Sequence, residues 1–264
     1  MRILESEARR TGSPSSRLQF ESVAGPVISQ RYLLLDGKRA YDLGNTCQTC
    51  ALLFQRLPGA TKSLAIQEAA EALRLGVTSL DDNVVAAVGA GLPEGEYVTL
   101  LAETSVDLVK PGDPTDYFVR EQVDLWGEDK FYCLPHDPRV PYYRAGDLRI
   151  GERRHLFNFV VPMYPAKQLT FRTVATYKEE METRGTGTAV TLSLLDVKAP
   201  TVWEGEEDPD PDEHWLFTHY LIDGHHKLHA AAEENRPLRI LSFVALSHGV
   251  SKPDQVREAL SYLI

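Results

Sequence analysis

The sequence predicts a protein of mixed α and β structure, of the α/β or α+β kind, and three observations predict it. Apolar runs of strand length recur along the chain, the clearest over residues 215–222 and 238–246. Between these two runs lies a segment of helix length, 225–235, entered through Asp223-Gly224 and left through Arg236-Pro237. An amphipathic helical pattern occupies 63–75, with Leu64, Ala65, Ala69, Ala72 and Leu73 on one side and Gly76 as its stop.

Taken in order, residues 1–22 are polar, with Thr11-Gly12-Ser13-Pro14-Ser15-Ser16 in their middle, and predict a flexible N-terminal arm. An N-terminal α+β region is expected over 23–145 and a C-terminal domain over 146–264. In the first, apolar runs at 27–35 and 38–43 flank Asp36-Gly37, a hairpin signal. Residues 51–57 predict a short helix ended by Pro58-Gly59, and a further helix runs from a Ser79 cap to about Val88. A strand is expected over 97–109. Prolines at 111, 114, 135, 138 and 141 predict loops over 111–152, with one short element at 117–126. The C-terminal domain should hold a strand at 155–163, a helix at 168–181 and a strand at 188–197. Its last helix starts at Pro253 and turns Val256, Ala259, Leu260 and Leu263 inward. Residues 204–213 hold seven carboxylates and two prolines and read as a solvated loop.

Length and composition narrow the function. A chain of 264 residues with 43% hydrophobic residues can bury one large core or two modest ones. A net charge of -10 argues against coating nucleic acid, which rests on phosphate neutralisation, so no stable duplex DNA complex is expected. The sequence has no apolar run long enough for a membrane span and no signal-peptide core, so the cytoplasm is the expected location.

The chain has three cysteines, which cannot all pair, so no disulfide framework is expected. Cys47-x-x-Cys50 follows a predicted hairpin, where a zinc knuckle often lies. Cys133-Leu-Pro-His136 supplies a second pair of ligands. Cys47, Cys50, Cys133 and His136 would make a tetrahedral set, and with four protein ligands the zinc would be structural. The other readings are a buried or reactive Cys-x-x-Cys with Cys133 in the core, and a redox pair.

The chemistry concentrates near the C-terminus. Six of eight histidines fall in 214–248. His214 and His248 suit core hydrogen bonds, whereas His225 and His226 share the turn and the first helical positions with Lys227. The free N–H groups of a helix's first turn suit an anion such as phosphate, and Gly224 leaves room for close approach. Asp223 would cap the helix. His229, one turn after His225, could join a metal pair. Asp196 and Lys198, at the end of the neighbouring predicted strand, could reach the same pocket.

The string Leu221-Ile222-Asp223-Gly224-His225-His226-Lys227-Leu228-His229-Ala230-Ala231-Ala232 resembles the DGHHR-x-x-A signature of the ParB/sulfiredoxin-like superfamily, with Lys227 where Arg is usual. The resemblance covers about residues 188–250. It implies a mixed sheet with flanking helices and phosphate binding at Gly224, His225, His226 and Lys227. Members include partition CTPases, sulfiredoxins, free-serine kinases and nucleases. The expectation is a nucleotide-binding phosphotransferase or hydrolase acting on a small molecule, with magnesium bridging the phosphates. Asp223, His225, His226 and Asp196 are its candidate catalytic groups, and Glu204 a further candidate base. The alternatives are a non-catalytic nucleotide or anion sensor and a nuclease. Net charge disfavours the nuclease, and no helix-turn-helix is recognisable for a DNA clamp.

Overall fold

The fold is seen in a computed structural model, which describes residues 1–64, 66–138, 140–202, 205 and 210–264, with Arg184 described by its backbone alone. The chain opens with five strands, β1 (Arg2–Thr11), β2 (Leu18–Val23), β3 (Gln30–Leu35), β4 (Lys38–Asn45) and β5 (Gln55–Arg56). Then follow a 3-10 turn (Gln67–Ala69), α1 (Ala70–Leu75), α2 (Asp82–Gly89), β6 (Gly95–Thr104), β7 (Asp107–Val109) and α3 (Glu121–Trp126). The rest of the chain forms β8 (Tyr142–Arg149), β9 (Arg154–Pro162), α4 (Phe171–Arg184), β10 (Thr188–Lys198), β11 (Glu213–Asp223), α5 (His225–Glu233), β12 (Leu238–Ala245) and α6 (Pro253–Ser261). This is an α+β protein with a large mixed sheet.

The large sheet has eight strands in the order β1-β6-β12-β10-β11-β9-β8-β7. Two of its pairs are parallel, β10 with β12 and β9 with β11. A second sheet, β2-β3-β4-β5, is antiparallel. Every residue of β10 is buried, because this strand is covered on both faces. Its even-numbered residues Val190, Leu192 and Leu194 share a core with Leu33, Leu35 and Tyr41 of the small sheet. On the opposite face, Leu195 and Val197 pack with Val256 and Ala259 of α6. Ala189 on that face packs with Val174 of α4 and with Leu228 and Ala231 of α5. Each such buried aliphatic side chain contributes about 1.5–3 kcal/mol.

Several expectations hold locally. Asp36 and Gly37 both take positive φ, 53° and 73°, as the tight turn between β3 and β4 requires. Val256, Ala259, Leu260 and Leu263 are all buried.

Others change. Residues 2–11 are not an arm: they form β1, paired antiparallel with β6 from Arg2↔Glu103 to Thr11↔Gly95. The strand is polar because it is an edge strand, held by backbone bonds and by pairs such as Arg10–Glu94 rather than by an apolar face. Residues 51–57 are extended, not helical. Leu52 and Phe54 are buried while Ala51, Leu53 and Gln55 are half-buried, a period of two. α2 is capped by Asp81, whose side chain accepts from the N–H of Asn83 and Val84, not by Ser79. The loop expected at 111–152 contains a full strand, β8, on the sheet. β9 pairs with β8 and β12 with β6, and β8 itself runs from Tyr142 to Arg149, so the large sheet crosses residue 145 without interruption.

Among the described residues, no helix is long and apolar enough to cross a membrane. Of the acidic segment 204–213, Glu204 and residues 206–209 lie outside the described residues, as does Ala65 of the amphipathic pattern.

Candidate phosphate site at the start of α5

The parallel pairing of β9 with β11 brings their carboxyl ends together, and α5 starts where β11 stops. Gly224 is the junction. Its φ is +90°, and a Cβ there would stand 2.9 Å from the Cα of Ala189 on β10. Both facts require glycine: the left-handed turn and the close approach of two backbones. The first bond of α5 runs from the N–H of Leu228 to the carbonyl of Gly224, and no side chain caps the helix among the described residues. The expected Asp223 cap is therefore absent, and the N–H groups of the first turn are the open end of the helix dipole.

A cavity of about 280 Å³ opens at this end. α5 and β11 supply Asp223, His225 and His226; Tyr164 follows β9, Tyr177 lies on α4, and Gln67 lies on the 3-10 turn before α1. His225 is 4% exposed. Its Nε2 accepts the N–H of Met163 at 2.9 Å, which leaves the proton on Nδ1, and that Nδ1 is buried with no hydrogen-bond partner among the described residues. The Tyr164 ring stacks on the imidazole at 4.1 Å. Burial, with His226 as a lesser cause, lowers the His225 pKa to about 3, so the ring is neutral. His226 accepts the N–H of Thr170 at 3.1 Å through Nε2, and burial lowers its pKa too. No hydrogen bond or ion pair engages the Asp223 carboxylate among the described residues.

Lys227 is placed differently from the expectation. It is buried, and its Nζ donates to the carbonyls of Leu73 at 3.1 Å and Thr188 at 3.0 Å. It ties α5 to the end of α1 and the start of β10. Burial lowers its pKa, against the opposing effect of Asp223. Its charge lies at the cavity, but its hydrogen bonds are spent on the protein. His229 turns to the Tyr143 hydroxyl at 2.9 Å.

Asp196 lies elsewhere. Asp223 sits opposite Val190 on β10, and Asp196 is six residues further along, roughly 20 Å away. Its carboxylate takes two bonds from Arg31, at 3.0 and 2.7 Å, and one from the N–H of Val250. It is a structural ion pair, not a base for the cavity. Lys198, at the same end, donates to the carbonyl of Cys47. His214 meets the Tyr117 hydroxyl and His219 the Ser193 hydroxyl, both in the core.

The four expected zinc ligands are not gathered. Cys47 and Cys50 are joined as a disulfide, and Cys133 is free and exposed. Among the described residues no group of three or more His, Cys, Asp or Glu is placed to hold a metal. His136 and Cys50 do line one common cavity.

Tyr164, Tyr177 and Gln67 escaped the sequence reading. They lie 46 to 156 residues before Asp223 in the chain (223 − 177 and 223 − 67), and only the strand order brings them to it. Compared with known proteins, the chain has no significant match: no family model, no curated protein and no solved structure.

Proposed function

We propose that the cavity at the start of α5 binds the phosphate group of a nucleotide or of another phosphorylated small molecule, and that the protein transfers or hydrolyses that phosphoryl group. One observation carries the reading: an uncapped helix N-terminus opens on a cavity whose wall includes His225, a neutral, buried ring whose Nδ1–H has no hydrogen-bond partner among the described residues. A buried donor without a partner costs about 1–3 kcal/mol, which an acceptor would return if the Tyr164 ring stacked on the imidazole shifts to admit it. The backbone N–H groups of the first turn and the nearby Lys227 charge favour an anion at the same place. The resemblance of Asp223-Gly224-His225-His226-Lys227 to a phosphate-binding signature supports the same assignment.

For the chemistry, Asp223 is the residue to accept a proton from an attacking hydroxyl or water. Magnesium, which would neutralise charge on the phosphates, needs few protein ligands, and the uncommitted Asp223 carboxylate fits that need. The volume suits a phosphate and a small fragment, so the larger part of a nucleotide would extend out of the cavity.

Calorimetry with inorganic phosphate, ATP, ADP, CTP and GTP, each with and without magnesium, tests the site. Binding of at least one is expected, together with release of phosphate or loss of the terminal phosphoryl group. Binding without turnover would move the protein to the sensing class. No binding at millimolar ligand would leave the segment as a core helix and end the reading.

A further inference from the structure

A second site lies far from α5, in the loop between β4 and β5. Cys47 and Cys50 form a disulfide there, both half-buried and both outside the apolar core. A bridge that spans only three positions closes a very short loop, the case in which cross-linking stabilises a fold least. Stabilisation is therefore a weak reason for this bond. Its surroundings supply another. Cys50 lines a cavity of about 530 Å³, with Trp126, Leu53, Leu134 and His136 in its walls. At the rim stands Tyr132, 66% exposed, packed edge-on against Phe131, which is 85% exposed. Two large rings on the surface beside a half-apolar cavity form a docking surface for an apolar segment. Asp129 also lines the cavity, but its Oδ1 is engaged by the N–H groups of Phe131 and Tyr132.

Cys47 is set apart from Cys50. The Thr49 hydroxyl lies 3.3 Å from its Sγ, and the buried Lys198 ammonium donates to its carbonyl. A hydroxyl donor at the sulfur, with a cation bonded to the same residue's carbonyl, favours Cys47 over Cys50 as the leaving thiolate.

We propose that Cys47–Cys50 is a redox-active disulfide that accepts two electrons from a peptide dithiol whose apolar flank docks on Tyr132 and Phe131. A substrate thiolate attacks Cys50 Sγ, the Cys47–Cys50 bond breaks, and its electron pair leaves on Cys47. The substrate's second thiol, deprotonated, attacks the substrate sulfur of the mixed disulfide and releases the Cys50 thiolate. The two substrate protons end on the two cysteines. The substrate leaves as a disulfide and the protein as a dithiol, and a low-molecular-weight disulfide such as oxidised glutathione restores the resting form.

The test uses full-length protein with Cys133→Ser, so that mass changes report the pair. It is equilibrated across glutathione ratios, trapped by alkylation and weighed intact. A reversible two-electron transition within the glutathione range is expected. Tyr132→Ala, a surface change, should slow reduction by an aromatic-flanked peptide dithiol at least fivefold and leave the rate with dithiothreitol within twofold. A pair that stays oxidised at every ratio is a staple, and the proposal fails. It fails equally if the reduced pair takes up one zinc ion and stops exchanging, or if Tyr132→Ala slows both reductants alike.

Discussion

Arg31 and Lys227 are buried cations at opposite ends of β10, and the protein compensates them in different ways. At one end Arg31 meets the Asp196 carboxylate twice and the carbonyls of Leu43 and His248 once each. Burial alone would depress its pKa, but Asp196 outweighs burial and the net shift is upward. At the other end Lys227 has two carbonyls and no carboxylate within ion-pair distance among the described residues. Burial dominates there and the net shift is downward. A closed ion pair presents no charge to a ligand. A cation held only by dipoles does, and the cavity lies at that end. Sequence position alone made Asp196 and Lys227 look like partners in one site; the strand length separates them.

The largest expected effect breaks the closed end. Arg31→Leu leaves Asp196 buried and unpaired and should cost about 3–5 kcal/mol. Arg31→Leu with Asp196→Leu should be less damaging than the single change, because it removes both charges. Urea denaturation of the two variants measures this. A single-variant loss under about 1 kcal/mol would mean that the pair does not carry that end of the strand.

Acid should attack the histidines next. His214, His219 and His225 all have folded-state pKa values lowered to about 3, chiefly by burial. The unfolded chain, with values near 6.5, takes up these protons first as pH falls. Their contribution to stability is thus complete above about pH 6.5 and is lost progressively between there and about pH 3. The slope is about 1.4 kcal/mol per pH unit for each histidine. Urea midpoints at pH 7.5, 6 and 5 should fall in that order, and His225→Gln should flatten the fall by one proton. An unchanged midpoint from 7.5 to 5 would contradict the buried, neutral assignment.

Lys227→Met sharpens the comparison at the open end. It keeps the aliphatic stem and strands the Leu73 and Thr188 carbonyls, at a cost of about 1–3 kcal/mol in stability. The same change should weaken phosphate binding, since the only buried cation beside the cavity is gone among the described residues. Equal phosphate affinity in Lys227→Met and wild type, by calorimetry, would assign the lysine to folding alone.

How much of this was legible in advance follows from where the information lies. The motif unit was readable because strand, glycine turn and helix are local: observed α5 begins at His225 as expected, and β12 spans Leu238–Ala245. The polar β1 was not, because edge strands are fixed by backbone pairing with a partner some ninety residues away, and alternating Glu and Arg resemble a solvated arm. Residues 51–57 misled because a short apolar run has no period long enough to separate helix from strand. The role of Lys227 was invisible for another reason. Its two acceptors are backbone carbonyls on α1 and β10, and backbone atoms leave no mark in a sequence.

The smallest expected effect on stability is the most informative about chemistry. The Asp223 carboxylate caps nothing, and no donor engages it among the described residues. Asp223→Asn loses no hydrogen bond among the described residues, only an attraction for the buried Lys227, and should therefore change stability by less than about 1 kcal/mol. Its effect on the ligand should be opposite in sign to that of Lys227→Met. Removing a negative charge beside the helix N-terminus favours an anion, so inorganic phosphate should bind more tightly. A nucleotide held through magnesium should not gain if Asp223 is a ligand of that metal. Phosphoryl transfer should fall by about 10²-fold or more if Asp223 is the base. Tighter phosphate binding with unchanged turnover would leave Asp223 as a bystander and return the search for the base to the rest of the cavity wall.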